Sequence, residues 1–284
     1  MWIFMAFGSA LFAGLTAILA KCGVRRTDST VATAIRTVVV LLFSWLMVFL
    51  TGAQAGLRDI QGGTLLCLTL SGMATGASWL CYFRALQIGD VNKVTPIDKS
   101  STVLTILLAF FLLREPISGP KALGLVCAAA GTWLMIEKKA GQGEKQGPWL
   151  PYALGSALFA ALTAILGKLG VRGVDSNLAT ALRTGVVLVM AWVMVAVTGK
   201  SALLKTLPKE ELGFLCLSGI ATGASWLCYY RALQEGPASV VVPVDKLSIL
   251  VTVAFSALVL HEKLSPKAGL GLALITGGTL AMLL

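Results

Sequence analysis

Apolar residues run along this chain in long unbroken stretches separated by short polar clusters. Trp2–Ala20, Val38–Leu50, Thr64–Phe83, Val103–Leu113 and Ala122–Ile136 are examples. A helix that crosses a bilayer takes about 20 mostly apolar residues, whereas the strands of a membrane barrel alternate in polarity over about ten. Continuous apolarity therefore predicts helices near 2–21, 30–51, 64–86, 90–113 and 121–137, then near 149–168, 177–198, 212–233, 237–260 and 267–284. The expected fold class is all-α integral membrane, with ten transmembrane helices joined by short loops.

The chain is one unit written twice. ATGASWLCYFRALQ at 74–87 returns as ATGASWLCYYRALQ at 221–234, and GSALFAGLTAILAK at 8–21 returns as GSALFAALTAILGK at 155–168. The offset of 147 holds almost throughout: Arg36 matches Arg183, Pro96 matches Pro243, and Glu115 matches Glu262. Residues 1–137 read as a first five-helix repeat, 138–148 as a polar linker and 149–284 as a second five-helix repeat. Because residues 8–21 recur in mid-chain and no basic segment precedes the first apolar run, residues 1–20 read as a structural helix rather than a cleaved leader. Five is odd, so the second repeat enters the membrane from the opposite side. The two repeats are expected to be inverted about a pseudo-two-fold axis in the membrane plane, a construction used by many secondary transporters.

Composition agrees. Apolar residues make up 57% of the chain and charged residues 13%, against about 25% charged in an average soluble domain. The net charge of +10 sits at helix ends, not on a basic soluble stripe, which argues against nucleic acid as a partner. Among basic residues not shared by both repeats, Arg26, Lys93, Lys138, Lys139, Lys145, Lys200, Lys205, Lys209 and Lys263 fall on the linker side, and Arg58 and Arg114 fall opposite. Positive residues stay in the cytoplasm, so this count places both termini outside. The six cysteines have no CxxC spacing and the chain has a single histidine, His261; neither metal nor cofactor is expected.

Candidate chemistry lies in polar residues that hydrocarbon does not accept. Arg36, Arg84, Asp98 and Lys99, with their mates Arg183, Arg231, Asp245 and Lys246, lie in or at the ends of membrane helices. A charge at a helix centre costs roughly 2.5–3.5 kcal/mol on insertion scales, so such groups face a cavity or pair with each other. Lys21, Arg36, Arg84 and Asp98 are expected as one ionic cluster, with Lys168, Arg183, Arg231 and Asp245 as its inverted mate. Together the two clusters are candidate gates, or static locks between helix ends. In the fourth helix of each repeat, an early start is marked by Gly236-Pro237-Ala238, which leaves Pro243 inside the helix as a kink. Thr75, Ser78, Trp79 and Tyr82 share one helical face, as do Thr222, Ser225, Trp226 and Tyr229; these eight are the candidate substrate-binding residues. Gly72 and Gly76, repeated as Gly219 and Gly223, form close-packing GxxxG motifs. Gly124, Ala128, Gly131, Gly271 and Gly278 form small-residue seams. Glu115 and Glu262 read as helix-end residues held by nearby lysines, with proton coupling as the alternative.

The duplicated five-helix unit, SWLCYFRALQ before a glycine turn, PIDK and PVDK in the fourth helices, and REPIS and HEKLS after them resemble the EamA-domain permeases of the drug/metabolite transporter superfamily. The resemblance spans essentially the whole chain. It implies a central cavity lined by helices 1, 3, 4, 6, 8 and 9, and termini inside, opposite to the lysine count. The expected function is secondary transport, ion-coupled or facilitative, of a small polar metabolite, amino-acid-like or zwitterionic, by alternating access. The expected partners are that substrate, membrane lipid, and a coupling proton or other ion, in a monomer or homodimer of the cell membrane. The alternative is a lipid flippase or a non-transporting scaffold. An intramembrane enzyme is disfavoured: HExxH, GxGD and a Ser-His pair are absent, and Lys246 and Ser248, two apart on a helix, face different ways.

Overall fold

The computed structural model describes residues 1–23, 27–88, 94, 97–98, 100–135, 148–259 and 265–284. Among them lie eleven α-helices and no strand. They are α1 (Trp2–Gly23), α2 (Ser29–Thr51), α3 (Gly62–Ile88), α4 (Ser101–Leu113), α5 (Gly119–Met135), α6 (Trp149–Gly170), α7 (Ser176–Val197), α8 (Lys209–Glu235), α9 (Ala238–Lys246), α10 (Ser248–Val259) and α11 (Pro266–Ala281). Among the described residues, seven segments are long and apolar enough to cross a membrane: α1, α2, α3, α6, α7, α8 and the stretch Ala238–Phe255.

The repeat is visible in how the helices start and stop. Asp28 caps α2, its Oδ1 accepting from the amides of Thr30 at 2.9 Å and Val31 at 3.4 Å. Asp175 caps α7 in the same way, accepting from Asn177 at 2.8 Å and Leu178 at 3.3 Å. Aspartate at this position satisfies amides that have no partner inside the helix. Beyond each helix a glycine takes positive φ, 74° at Gly52 and 69° at Gly199. The chain then makes a 3-10 turn, Ala53–Asp59 or Lys200–Thr206. Those turns were not expected from apolar periodicity, which is silent over short polar connections.

The early start of the ninth helix holds: Pro237 is the N-cap of α9 and Pro243 lies inside it. The expectation of one kinked helix over 237–260 is corrected. The segment is divided at Leu247 into α9 and α10. Pro243 has no N–H to give the carbonyl of Ser239 one turn earlier, and the helix stops within a turn of it. In the first repeat Pro96 and Lys99 lie outside the described residues.

The most extensive contacts cross between the repeats: α3 on α6, α1 on α8, α5 on α11 and α2 on α7. Glycine makes them close. A Cβ on Gly72 would stand 2.7 Å from Val186 Cβ, and one on Gly219 the same distance from Val39 Cβ. The GxxxG motifs thus seat the second helix of the opposite repeat. A Cβ on Gly131 would stand 2.5 Å from the Gly271 carbonyl oxygen, and one on Gly278 2.7 Å from Cys127 Cβ. The α5 and α11 seams therefore join the two halves of one chain.

At one membrane edge Lys200 Nζ bridges to Asp28 Oδ2 at 2.7 Å and donates to Thr30 Oγ1 at 3.0 Å. Burial raises the Asp28 carboxyl, but hydrogen bonds from Lys200, Thr30 and Val31, with the charge of Lys200, outweigh it and hold the group below its ordinary value.

Two outcomes follow from this packing. Gly131→Ala is expected to lower the thermal midpoint of the detergent-purified protein by the equivalent of roughly 1–3 kcal/mol, because backbone on the facing helix cannot yield. Gly185→Ala, where a Cβ meets nothing within 4 Å, is expected to leave the midpoint level or raise it. A folded pKa below the unfolded one gives stability that is present above the unfolded value and lost as pH falls through the folded value. In pH-dependent melts, Lys200→Met should therefore lower stability at neutral pH and shrink this acid loss, its lower end moving to higher pH.

Candidate functional site

Two hydroxyl zippers join the repeats. On α3, Ser71, Thr75 and Ser78 follow at spacings of four and three and so share a face. Opposite them on α6 stand Ser156 and Thr163. Ser71 Oγ donates to the Thr163 carbonyl at 2.8 Å, and Ser78 Oγ to the Ser156 carbonyl at 3.0 Å. The second zipper is the same 147 residues on. Ser218 on α8 donates to the Thr16 carbonyl at 3.1 Å and Ser225 to the Ser9 carbonyl at 3.0 Å. Each zipper runs antiparallel: rising numbers on one helix meet falling numbers on the other.

Each zipper ends on a carboxylate from the opposite repeat. Ser156 Oγ donates to Asp98 Oδ1 at 2.6 Å, and Ser9 Oγ to Asp245 Oδ1 at 2.5 Å. Ser9 and Ser156 are both at 0% exposure, while the two carboxylates they meet are half-buried. Hydrogen bonds to a charged acceptor contribute roughly 1.5–3 kcal/mol, more than neutral pairs.

The basic residues find separate partners. Arg183 is 3% exposed. Its Nε donates to Ser71 Oγ at 3.0 Å and its Nη2 to Thr75 Oγ1 at 2.6 Å. The guanidinium stands over the Trp226 ring at 5.1 Å and the Tyr230 ring at 4.9 Å. Cation–π contacts desolvated in this way are worth about 2 kcal/mol. Lys168 Nζ donates to the carbonyls of Leu233 and Gly236, where α8 ends. Arg231 pairs with Glu235 at 2.8 Å on the exposed end of α8. Arg84 is likewise exposed. The expected cluster of Lys168, Arg183, Arg231 and Asp245 is thus distributed over different partners. For its mate, Arg36 is half-buried with no hydrogen bond among the described residues; Lys99 and Glu262, and the side chain of Lys21, lie outside them. Glu115 Oε1 and Oε2 accept from the amides of Ala238 at 2.8 Å and Ser239 at 2.9 Å. It caps α9 from the opposite repeat, with a negative charge at the positive end of the helix.

Of the eight candidate substrate-binding residues, Thr75, Ser78, Thr222 and Ser225 are buried in the zippers. Trp79 is half-buried against Ala34, Ala191 and Val195. Tyr82 packs on Ala85, Val94 and Ala153, while Trp226 and Tyr229 pack on the largest buried cluster. A separate cavity of about 720 Å³ opens between α1, α4, α5, α6, α9, α10 and α11. Lys246, Pro243, Ser248, Thr132, Trp133 and Thr279 are among its lining residues, and none of those eight is.

Residues 1–137 and residues 147–284 each match the EamA-like transporter family. This chain belongs to that family. It is 47% identical over 134 residues to an "Uncharacterized transporter in cobO 3'region" of Sinorhizobium sp, a match covering 47% of this chain and 95% of that protein. A solved crystal structure superposes with a TM-score of 0.76 at 17% identity, over 99% of this chain and 96% of its own; that likeness concerns the fold. Family and helices together make this a multi-pass membrane transporter. They point away from an enzyme.

Sequence reasoning passed over Ser9, Ser156, Thr16, Thr163, Ser71 and Ser218, although all recur at the same offset in apolar helices. Ser156→Ala and Ser9→Ala each remove the hydroxyl donor of a carboxylate. They are expected to lower stability by similar amounts, about 1.5–3 kcal/mol each, as read by thermal unfolding in detergent. A large loss in only one of the two would contradict their equivalence.

Proposed function

We propose that this transporter is a ten-helix secondary carrier, built from two inverted five-helix repeats, that moves a small polar metabolite by alternating access. The mirrored zippers, each tied to a carboxylate of the opposite repeat, carry this reading. Their antiparallel course supports inversion: α3 runs opposite to α6, and within one repeat the first and third helices run the same way. An acid held by a single serine hydroxyl on each side is a contact that can break and re-form as the repeats tilt. Asp245 sits two residues after Pro243 and two before the break at Leu247, where the backbone can bend. Asp98 and Asp245 are the residues through which a coupling proton or other ion would act. Arg36, Arg84, Lys99, Arg183 and Arg231 are the basic groups that would counter them, and Trp79, Tyr82, Trp226 and Tyr229 are the aromatic groups that follow the last zipper serine on α3 and α8. The unit needs no further subunit in this scheme and works as a monomer or within a homodimer.

Two measurements test the reading. Single-cysteine labelling from either side of sealed vesicles should place Met1 and the 138–148 linker on opposite faces; both on one face would end the inverted arrangement. Asp98→Asn and Asp245→Asn should each cut solute flux in proteoliposomes at least tenfold while the protein still purifies as a folded species. Undiminished flux with only a lowered melting point would make the two carboxylates static locks.

A further inference from the structure

We propose that the 720 Å³ cavity recognises an organic monocarboxylate with an apolar body, its carboxylate held by Lys246. The use of this site for transport rests on the carrier reading above; the binding does not. Among the described residues Lys246 is the only charged side chain lining the cavity. It is exposed and has no ion pair or hydrogen bond with any described residue. A cation in a largely apolar wall attracts an anion, because the low surrounding dielectric strengthens the pair.

Three of the lining hydroxyls have their protons committed, while Thr102, Ser248 and Thr279 also line the cavity as neutral groups without the charge of Lys246. Thr132 Oγ1 already donates to the Ala128 carbonyl at 2.8 Å, Thr252 Oγ1 to Ser248 at 3.2 Å, and Ser100 Oγ to Ile97 at 2.6 Å. With their protons committed, these oxygens offer lone pairs only. The ammonium of Lys246 has protons to give.

The rest of the wall sets the body of the ligand. Ala17, Val103, Leu125, Leu154 and Ile249 are apolar and Trp133 offers a ring. A site of this size accommodates a compact organic molecule. The amino-acid-like zwitterion expected from the sequence fits less well, because its ammonium needs an acid. Asp98 and Asp245, each next in sequence to a lining residue, are not lining residues themselves, and each accepts from a buried serine.

The test is equilibrium binding by calorimetry to the full chain in nanodiscs. The probes are phenylacetate, its neutral amide phenylacetamide, the zwitterion phenylalanine, and palmitate as a bilayer-derived acid. Phenylacetate should bind at least about tenfold more tightly than phenylacetamide and more tightly than phenylalanine. Lys246→Met should abolish that preference and Lys246→Arg should keep it. Palmitate binding that also needs Lys246, without phenylacetate binding, would support the same carboxylate chemistry and assign its source to the bilayer. Phenylalanine binding as tightly as phenylacetate, equal binding of acid and amide, or no binding of either acid would overturn the proposal. The wild-type comparison of acid and amide stands even if Lys246→Met does not fold. Carboxylate binding without any vesicle flux would leave this inference intact and count against the carrier reading alone.

Discussion

A hydroxyl inside hydrocarbon has no water to turn to, and a serine that donates to the carbonyl of a neighbouring helix answers that constraint with a very short side chain. Ser71, Ser78, Ser218 and Ser225 all do so across the boundary between the repeats. A serine reaches a neighbouring backbone only if the two helices approach closely. The interfaces are accordingly built from glycine and alanine, with Ala153, Ala157 and Ala161 of α6 at 0% exposure and the glycines of α3 and α8 pressed on α7 and α2. Hydrogen bonding requires proximity, proximity requires small residues, and small residues leave dispersion contacts in place of a bulky core. The carboxylates and the fit of α5 on α11 both depend on this spacing.

Because the unit is duplicated, each interface residue serves in two settings, and most contacts occur twice with similar distances. The departures are therefore informative. Arg183 is locked onto Ser71, Thr75, Trp226 and Tyr230, whereas Arg36 has no hydrogen bond among the described residues. Within the longest repeated phrase, the position that differs is Phe83 against Tyr230, and Tyr230 is one of the two rings beneath Arg183. Near-identical segments thus hold their arginines differently. A carrier that presents one side at a time needs two halves that are alike in construction and unlike in momentary state.

Much of this was legible in the chain. The apolar runs located the helices, the 147-residue offset paired them, and Gly72, Gly76, Gly219 and Gly223 marked where other helices would approach closely. Pro237 and Pro243 foretold a disturbed ninth helix. The partners of the polar stripe were not legible. Thr75 and Ser78 at helical spacing say that the face avoids lipid, yet a hydroxyl facing a cavity and a hydroxyl facing a carbonyl leave the same period. Ser9 and Ser156 are sparse polar residues in strongly apolar helices, each followed by a threonine seven residues on, Thr16 or Thr163, so the polar face is thin and its recurrence at the same offset is the stronger mark. Glu115 was legible as a helix-end residue, but the helix it caps belongs to the other repeat, a relation that no local pattern records.

The break at Leu247 ties these observations together. Without Pro243, a continuous helix would run from Ala238 through Ser248, its carbonyls consumed by its own ladder. The proline removes one amide from that ladder, and the helix ends as α9 before restarting as α10. Near this break Asp245 meets Ser9 of the opposite repeat, while Lys246, one residue on and therefore about 100° around the helix, lines the cavity. Adjacent residues of opposite charge are thereby assigned different neighbours: the acid a buried hydroxyl, the base an open space. The end of α9 also suits a cation there, since the partial negative charge of a helix C-terminus favours one. A single proline thus separates, within two residues, the contact that binds the repeats to each other from the charge that faces whatever fills the cavity.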